Sequence, residues 1–344
     1  MSDTTGPDIA RLTYGYLRWL LICLPALLFA VTMLTALGSG ELETSISAFY
    51  GGPVRDVFVG AMFAIAACLV AYQGVGLLED YALNGAGFYA VFVALVPTGF
   101  AGLMDDLRAN PSPDGATPAD HVAYLRIALT GVVVLCGVLF ARELASGRLR
   151  QLVVAPAGTS TPARWVNRVF LLLTALLLVG FLSLAMGQLW GVPAEEVTMA
   201  GISLGPVQLA IHDLAAIFLI ASLAVAVLTN TWPFYRFGDL WSAGRFFYLV
   251  VFALMTIGAL VPVAVAAAFA PDHLVILIEW WEIALFALFW ALETRREARQ
   301  ASGRLDDDAS PGPLHQPRRG TGPERSAERV PGRPDAGLSG PAAR

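Results

Sequence analysis

The 344-residue sequence contains no lysine: all 22 of its basic residues are arginine. A Schiff-base lysine, the lysine of a phosphate-binding loop and a lysine acetylation switch are thereby excluded. Charge of either sign is scarce, at 14% of residues, where a soluble domain carries about 25%. Hydrophobic residues make up 56%. That balance excludes an ordinary soluble enzyme; the net charge of −5 averages an acidic set of loops with a basic set, and no nucleic-acid partner is expected. The three cysteines, Cys23, Cys68 and Cys136, lie in separate apolar stretches without disulfide or zinc spacing and read as small packing residues. None of the four histidines stands one helical turn from another, so there is no HExxH, no HxxxH and no di-metal Glu-x-x-His pattern. There is no phosphate loop and no dinucleotide fingerprint, because Gly74-Val75-Gly76 runs into Leu-Leu-Glu.

What the sequence has in quantity is long apolar runs. A helix needs about 20 mainly apolar residues to cross a hydrocarbon core about 30 Å thick. Eight stretches meet that length: Trp19–Leu37, Val57–Leu78, Ala86–Met104, Val122–Ala141, Val169–Leu189, Val207–Leu228, Phe246–Ala270 and Leu274–Leu292. The runs are continuously apolar, as membrane helices are, and lack the alternation of a closed barrel. The expected fold class is all-α, a polytopic transmembrane bundle of about eight spans. Arg11 and Arg18 precede the first run, which ends in Ala36 and Gly38, an arrangement shared with cleaved signal peptides. The length of the run and the seven spans after it favour a retained helix.

Arginine placement orients the chain, since short cytoplasmic loops are enriched in basic residues. With the N-terminus inside, thirteen arginines near span ends are cytoplasmic, and Arg55, Arg108 and Arg126 are outside. Both termini are therefore expected in the cytoplasm, with the chain in the inner (plasma) membrane and the lipid bilayer as its first partner. The connection assigned to Glu79–Gly85 carries no arginine and dissents from the rule. The longest internal connection, 142–168, divides the spans into possible halves of four and four. Residues 1–292 form the expected transmembrane domain. From Glu293 the last 52 residues hold ten arginines, eight acids, seven prolines, seven glycines and no aromatic. Such a segment cannot bury enough apolar surface to offset its ordering entropy, so 293–344 is expected to be a disordered cytoplasmic tail.

Ionisable residues within spans are the functional pointers, because each costs about 2.5–3.5 kcal/mol at a helix centre on insertion scales. Glu279 and Glu282 share one face of the last span, about 8 and 12 Å below its outer end. His212 and Asp213 lie at similar depth in the sixth span, with Gln208 one turn above His212. These five residues are the expected ligand- or proton-binding set, opening to the outside. Metal is a secondary option: His121, His212 and His273, with the neighbouring acids, are of types that suit zinc, although the spacing singles out no site. No catalytic residue is assigned and no resident cofactor is expected. The G-x-S-x-G match at Gly201–Gly205 lacks the strand-to-helix turn that makes a nucleophile elbow. Pro25, Pro97 and Pro262 fall inside spans and are expected to kink them.

The segment SISAFYGGPVRDVFVG, Ser45 to Gly60, and HDLAAIFLIASLAVAVL, from His212, resemble bacterial multi-pass membrane proteins of uncharacterised function, a group distantly similar to the DRAM-type family. The resemblance implies a helical bundle and membrane residence, and no reaction. The leading expectation is binding or translocation of a small polar or cationic ligand at the outward pocket. The alternatives are a metal-dependent hydrolase acting at the outer leaflet and a structural or partner-binding bundle.

Overall fold

The computed structural model describes residues 6–51, 54–74, 76–110, 115, 117–147, 149, 161–205, 207–231 and 243–309. Its helices are α1 (Gly6–Ser39), α2 (Val54–Ala71), α3 (Leu77–Leu95), α4 (Phe100–Ala109), α5 (Pro118–Ser146), α6 (Thr161–Trp190), α7 (Ile211–Thr229), α8 (Ala243–Thr256), α9 (Leu260–Phe269) and α10 (Leu274–Ala309). Among the described residues, eight spans are long and apolar enough to cross a membrane, two of them broken: α3 continues into α4, and α8 into α9. The all-α reading holds; the sheet among the described residues is one hairpin of β1 (Ile202–Leu204) and β2 (Val207–Leu209).

Local chemistry accounts for the breaks and starts. Proline disfavours helical backbone in the residue before it, and Val96, ahead of Pro97, ends α3 in an extended conformation. Gly99, at φ +63°, turns the chain into α4. The second break spans Ile257–Ala259, just ahead of Pro262, whose missing N–H removes a helical bond. Pro25, by contrast, lies within an uninterrupted α1. α5 opens on a capping box, with Pro118 in its first turn: the Asp120 N–H donates to Thr117 Oγ1 at 3.2 Å, and the Thr117 N–H donates to Asp120 Oδ2 at 2.9 Å.

Three expected boundaries move. α2 stops at Ala71 rather than Leu78, so the first connection expected inside is 72–76, and Glu79–Gly85 falls in the first turns of α3. The sixth span starts at Ile211, which leaves Gln208 outside it: Gln208 pairs with Ser203 in the hairpin and is exposed, so it does not sit one turn above His212. α10 does not stop where the composition changes at Glu293 but continues to Ala309. The remaining residues of the expected tail, 310–344, lie outside the described residues.

Met1–Ala298 forms one compact unit, and α3 and α7, from opposite sides of the 142–168 division, pack directly on each other. Phe88, Tyr89 and Phe92 of α3 meet Phe181 of α6, and Tyr89 also meets Phe218 of α7, with ring centroids 5.0–6.3 Å apart. Tilted and edge-on pairs of this kind contribute about 0.5–1.5 kcal/mol each beyond area burial. α2 crosses α3 at Gly87, where a Cβ would meet the Ala66 carbonyl oxygen at 2.9 Å and Val70 at 2.8 Å. The backbones approach because glycine leaves that space open. In the second unit, Arg299–Arg344, the described residues 299–309 are helical.

Candidate functional site

The expected outer residues are placed one by one by backbone groups that need them. Val96 has left the helical conformation ahead of Pro97, and the buried His212 side chain donates from Nδ1–H to the Val96 carbonyl at 2.6 Å. His212 therefore ties α7 to the α3–α4 break rather than pairing with a glutamate of the last span. Asp213 turns back onto its own helix, accepting from the Ala210 N–H at 3.0 Å. Glu279 accepts from the Ile46 N–H at 2.6 Å, at the start of a 3-10 helix over Ile46–Gly51. The adjoining Ile276 N–H donates to the Thr44 carbonyl at 2.9 Å, so the loop ahead of α2 is stitched to the first turns of α10.

Glu282 differs from these. Its residue is 7% exposed, and its buried Oε2 has no hydrogen-bond partner. A buried carboxyl oxygen without a donor costs about 1–3 kcal/mol. Two more of the residues expected outside have partners: Gln188 exchanges two bonds with Gly201, at 2.7 and 2.9 Å, and Arg126 donates to the carbonyls of Leu189 and Val192 at 2.9 and 2.8 Å with its guanidinium over Trp190. His121 bonds the Thr117 carbonyl of its own helix at 3.1 Å, and His273 keeps a buried Nδ1 without a partner. Among the described residues, no three His, Cys, Asp or Glu side chains stand together so as to hold a metal ion. The donor set for the zinc option is thus not assembled there.

A second polar cluster lies at the arginine-bearing end of the bundle, and sequence reasoning missed it. Arg18 of α1, 4% exposed, pairs with Glu297 at 2.5 Å. Arg296 pairs with Glu293 at 3.0 Å and donates from Nη1 to Asn230 Oδ1 at 3.0 Å. Asn230 in turn donates from Nδ2 to Glu79 at 3.1 Å. The Arg296 guanidinium also lies over the Tyr248 ring, 5.6 Å from its centroid. Glu79 and Glu293 are 4% and 1% exposed. In the sequence Glu79 reads as loop and Glu293 as the first residue of a tail, so both look solvated. The signal that points to them is helical phase: at 100° per residue, Glu279, Glu282, Glu293 and Glu297 fall within an arc of about 60° on α10, over about 27 Å of helix.

Between Glu282 and Glu293 the same sector of α10 is closed by aromatic rings. Phe286, Phe289 and Trp290 are buried, and Trp290 meets Tyr72 with centroids 4.8 Å apart. Tyr248 meets Phe289 at 6.1 Å. Two groups of acids thus lie about 16 Å apart along the helix, with these buried rings between them. No protein-family model matches the chain, and no curated protein and no solved structure matches it either.

Proposed function

We propose that the protein binds a small monovalent cation at the outer end of α10 and passes it across the membrane along the acidic face of that helix. The observation that carries this reading is Glu282, a buried carboxyl group with an unpartnered oxygen in a helix of membrane-spanning length. Intramembrane acids normally face the interior of a bundle and mark a ligand site or an ion pathway. Glu279 above it and Glu293 and Glu297 below it continue the same face, and the aromatic rings between them describe a closed state. The breaks at Pro97 and ahead of Pro262 give two spans the irregular backbone on which rearrangement turns. In this reading the arginine-bearing end is cytoplasmic and the membrane is the inner (plasma) membrane.

The test is uptake into proteoliposomes of radiolabelled guanidinium, sodium and rubidium, each tried separately. Glu282→Gln is expected to reduce uptake at least about tenfold, the cost of roughly 1.4 kcal/mol in ligand stabilisation, and to leave the melting temperature unchanged because the carboxyl group has no partner to lose. Uptake by Glu282→Gln at the wild-type rate, or no uptake of any of the three cations by the wild type, overturns the proposal. A structural bundle is the second reading, and the backbone bonds of His212, Asp213 and Glu279 favour it for those three residues. It predicts that substitutions there shift stability alone.

A further inference from the structure

A recess of about 310 Å³ opens between α9 and α10, walled by Val261, Pro262 and Val265 of the first helix and by Trp280, Trp281 and Ala284 of the second. At 100° per residue the two tryptophans face about 150° away from Glu279 and from Glu282, so the recess lies on the side of α10 turned from the acids. The break ahead of α9 shapes its wall. In a continuous helix the Gly258 N–H would bond the Leu254 carbonyl; here it bonds the Ala253 carbonyl, at 2.9 Å. The Leu254 carbonyl instead accepts from Trp281 Nε1–H at 3.0 Å. Trp280 meets Phe29 of α1 edge-on at 5.3 Å, and its own Nε1 is buried. Neither indole N–H is therefore presented to the opening, and the lining is aliphatic and aromatic carbon throughout.

Within a membrane span such a recess is filled by whatever surrounds it. Water is excluded, because a bound water needs about two to four polar partners and this lining offers none. Trp280 to Ala284 lie about 9–15 Å along α10 from its first residue, at the depth of lipid chains rather than headgroups. The recess is continuous with apolar surface of the same span: Leu260 and Phe269, at the two ends of α9, are 65% and 84% exposed. Ala284 is itself exposed, and its single methyl leaves the packing of α9 on α10 incomplete. We propose that the recess is a binding site for one acyl chain of a membrane phospholipid, held through its hydrocarbon and not through its headgroup. The chain completes the contact between the two helices, with the indole rings as one wall and Pro262 and its neighbouring valines as the other.

The test is native mass spectrometry of the full-length chain, extracted from membranes in detergent and washed until loosely held lipid is gone. The wild type is expected to retain one phospholipid per chain. Ala284→Phe, which places a ring in the recess, is expected to retain none, and Val179→Phe, a ring added at an exposed position of α6, is expected to retain it as the wild type does. If Ala284→Phe does not fold, Ala284→Leu takes its place. Phosphatidylglycerol, phosphatidylethanolamine and phosphatidylcholine of matched chain length are expected to replace the bound lipid equally well, since no polar side chain lines the site. Loss of all lipid from the wild type, retention by the filled variant, or exchange that follows the headgroup overturns the proposal. A disulfide formed in membranes between two copies of Val265→Cys, in a chain freed of its three cysteines, also overturns it and assigns the recess to a second copy.

Discussion

His212 shows how a single residue can look catalytic in a sequence and be structural in the fold. Histidine within a span suggests a ligand or a proton carrier, yet its Nδ1–H is committed to the carbonyl of Val96, the extended residue at which α3 ends ahead of Pro97. His212→Ala leaves that carbonyl buried without a donor, and a loss of about 1–3 kcal/mol in stability is expected, read as a lower melting temperature in detergent. An unchanged melting temperature contradicts the assignment. Gly201 is a second residue whose identity follows from backbone geometry. It sits at φ +73°, and a Cβ there would lie 1.8 Å from the Leu209 carbonyl oxygen. Gly201→Ala is expected to cost at least about 1–3 kcal/mol and to detach the hairpin from Gln188, measurable as faster proteolysis between residues 191 and 210. The Gly-x-Ser-x-Gly pattern thus encodes a tight hairpin.

At the scale of elements, α10 bears acids at both of its ends. Its composition divides at Glu293, and composition alone places a boundary there; its hydrogen-bonded backbone continues because Glu293, Arg296 and Glu297 find partners on other helices. The pair between α1 and α10 is asymmetric in exposure: Arg18 retains 4% and Glu297 41%. Removing Glu297 strands a buried guanidinium, whereas removing Arg18 leaves a carboxylate that still meets water. Glu297→Ala is therefore expected to destabilise by an amount approaching the about 3–5 kcal/mol of a broken buried pair, and Arg18→Met by clearly less. Thermal melting of the two variants side by side checks the order, and the opposite order places the charge burden on the carboxylate.

For the whole molecule, orientation is the quantity to measure. On a background freed of Cys23, Cys68 and Cys136, Leu204→Cys in the exposed hairpin is expected to react with a membrane-impermeant thiol reagent added outside intact cells. Ser146→Cys at the end of α5 is expected to react only after the cells are opened. Outside labelling of Ser146→Cys inverts the arrangement and moves the Arg18–Glu297 end to the exterior. The spans, the helical class and the irregular backbone at two of the three prolines were legible in the sequence, because hydrocarbon length, continuous apolarity and proline's missing N–H act locally. Pro25 was the exception, carried within an unbroken α1. The pairing of His212 with α3, the burial of Glu79 and Glu293 and the exposure of Gln208 were not legible, since each depends on which helix stands opposite. Membrane residence follows from free energies of transfer summed residue by residue along the chain. Only the tertiary structure decided which few charges have partners and which, as at Glu282, have an oxygen left waiting for one, because pairing is a property of neighbours in space.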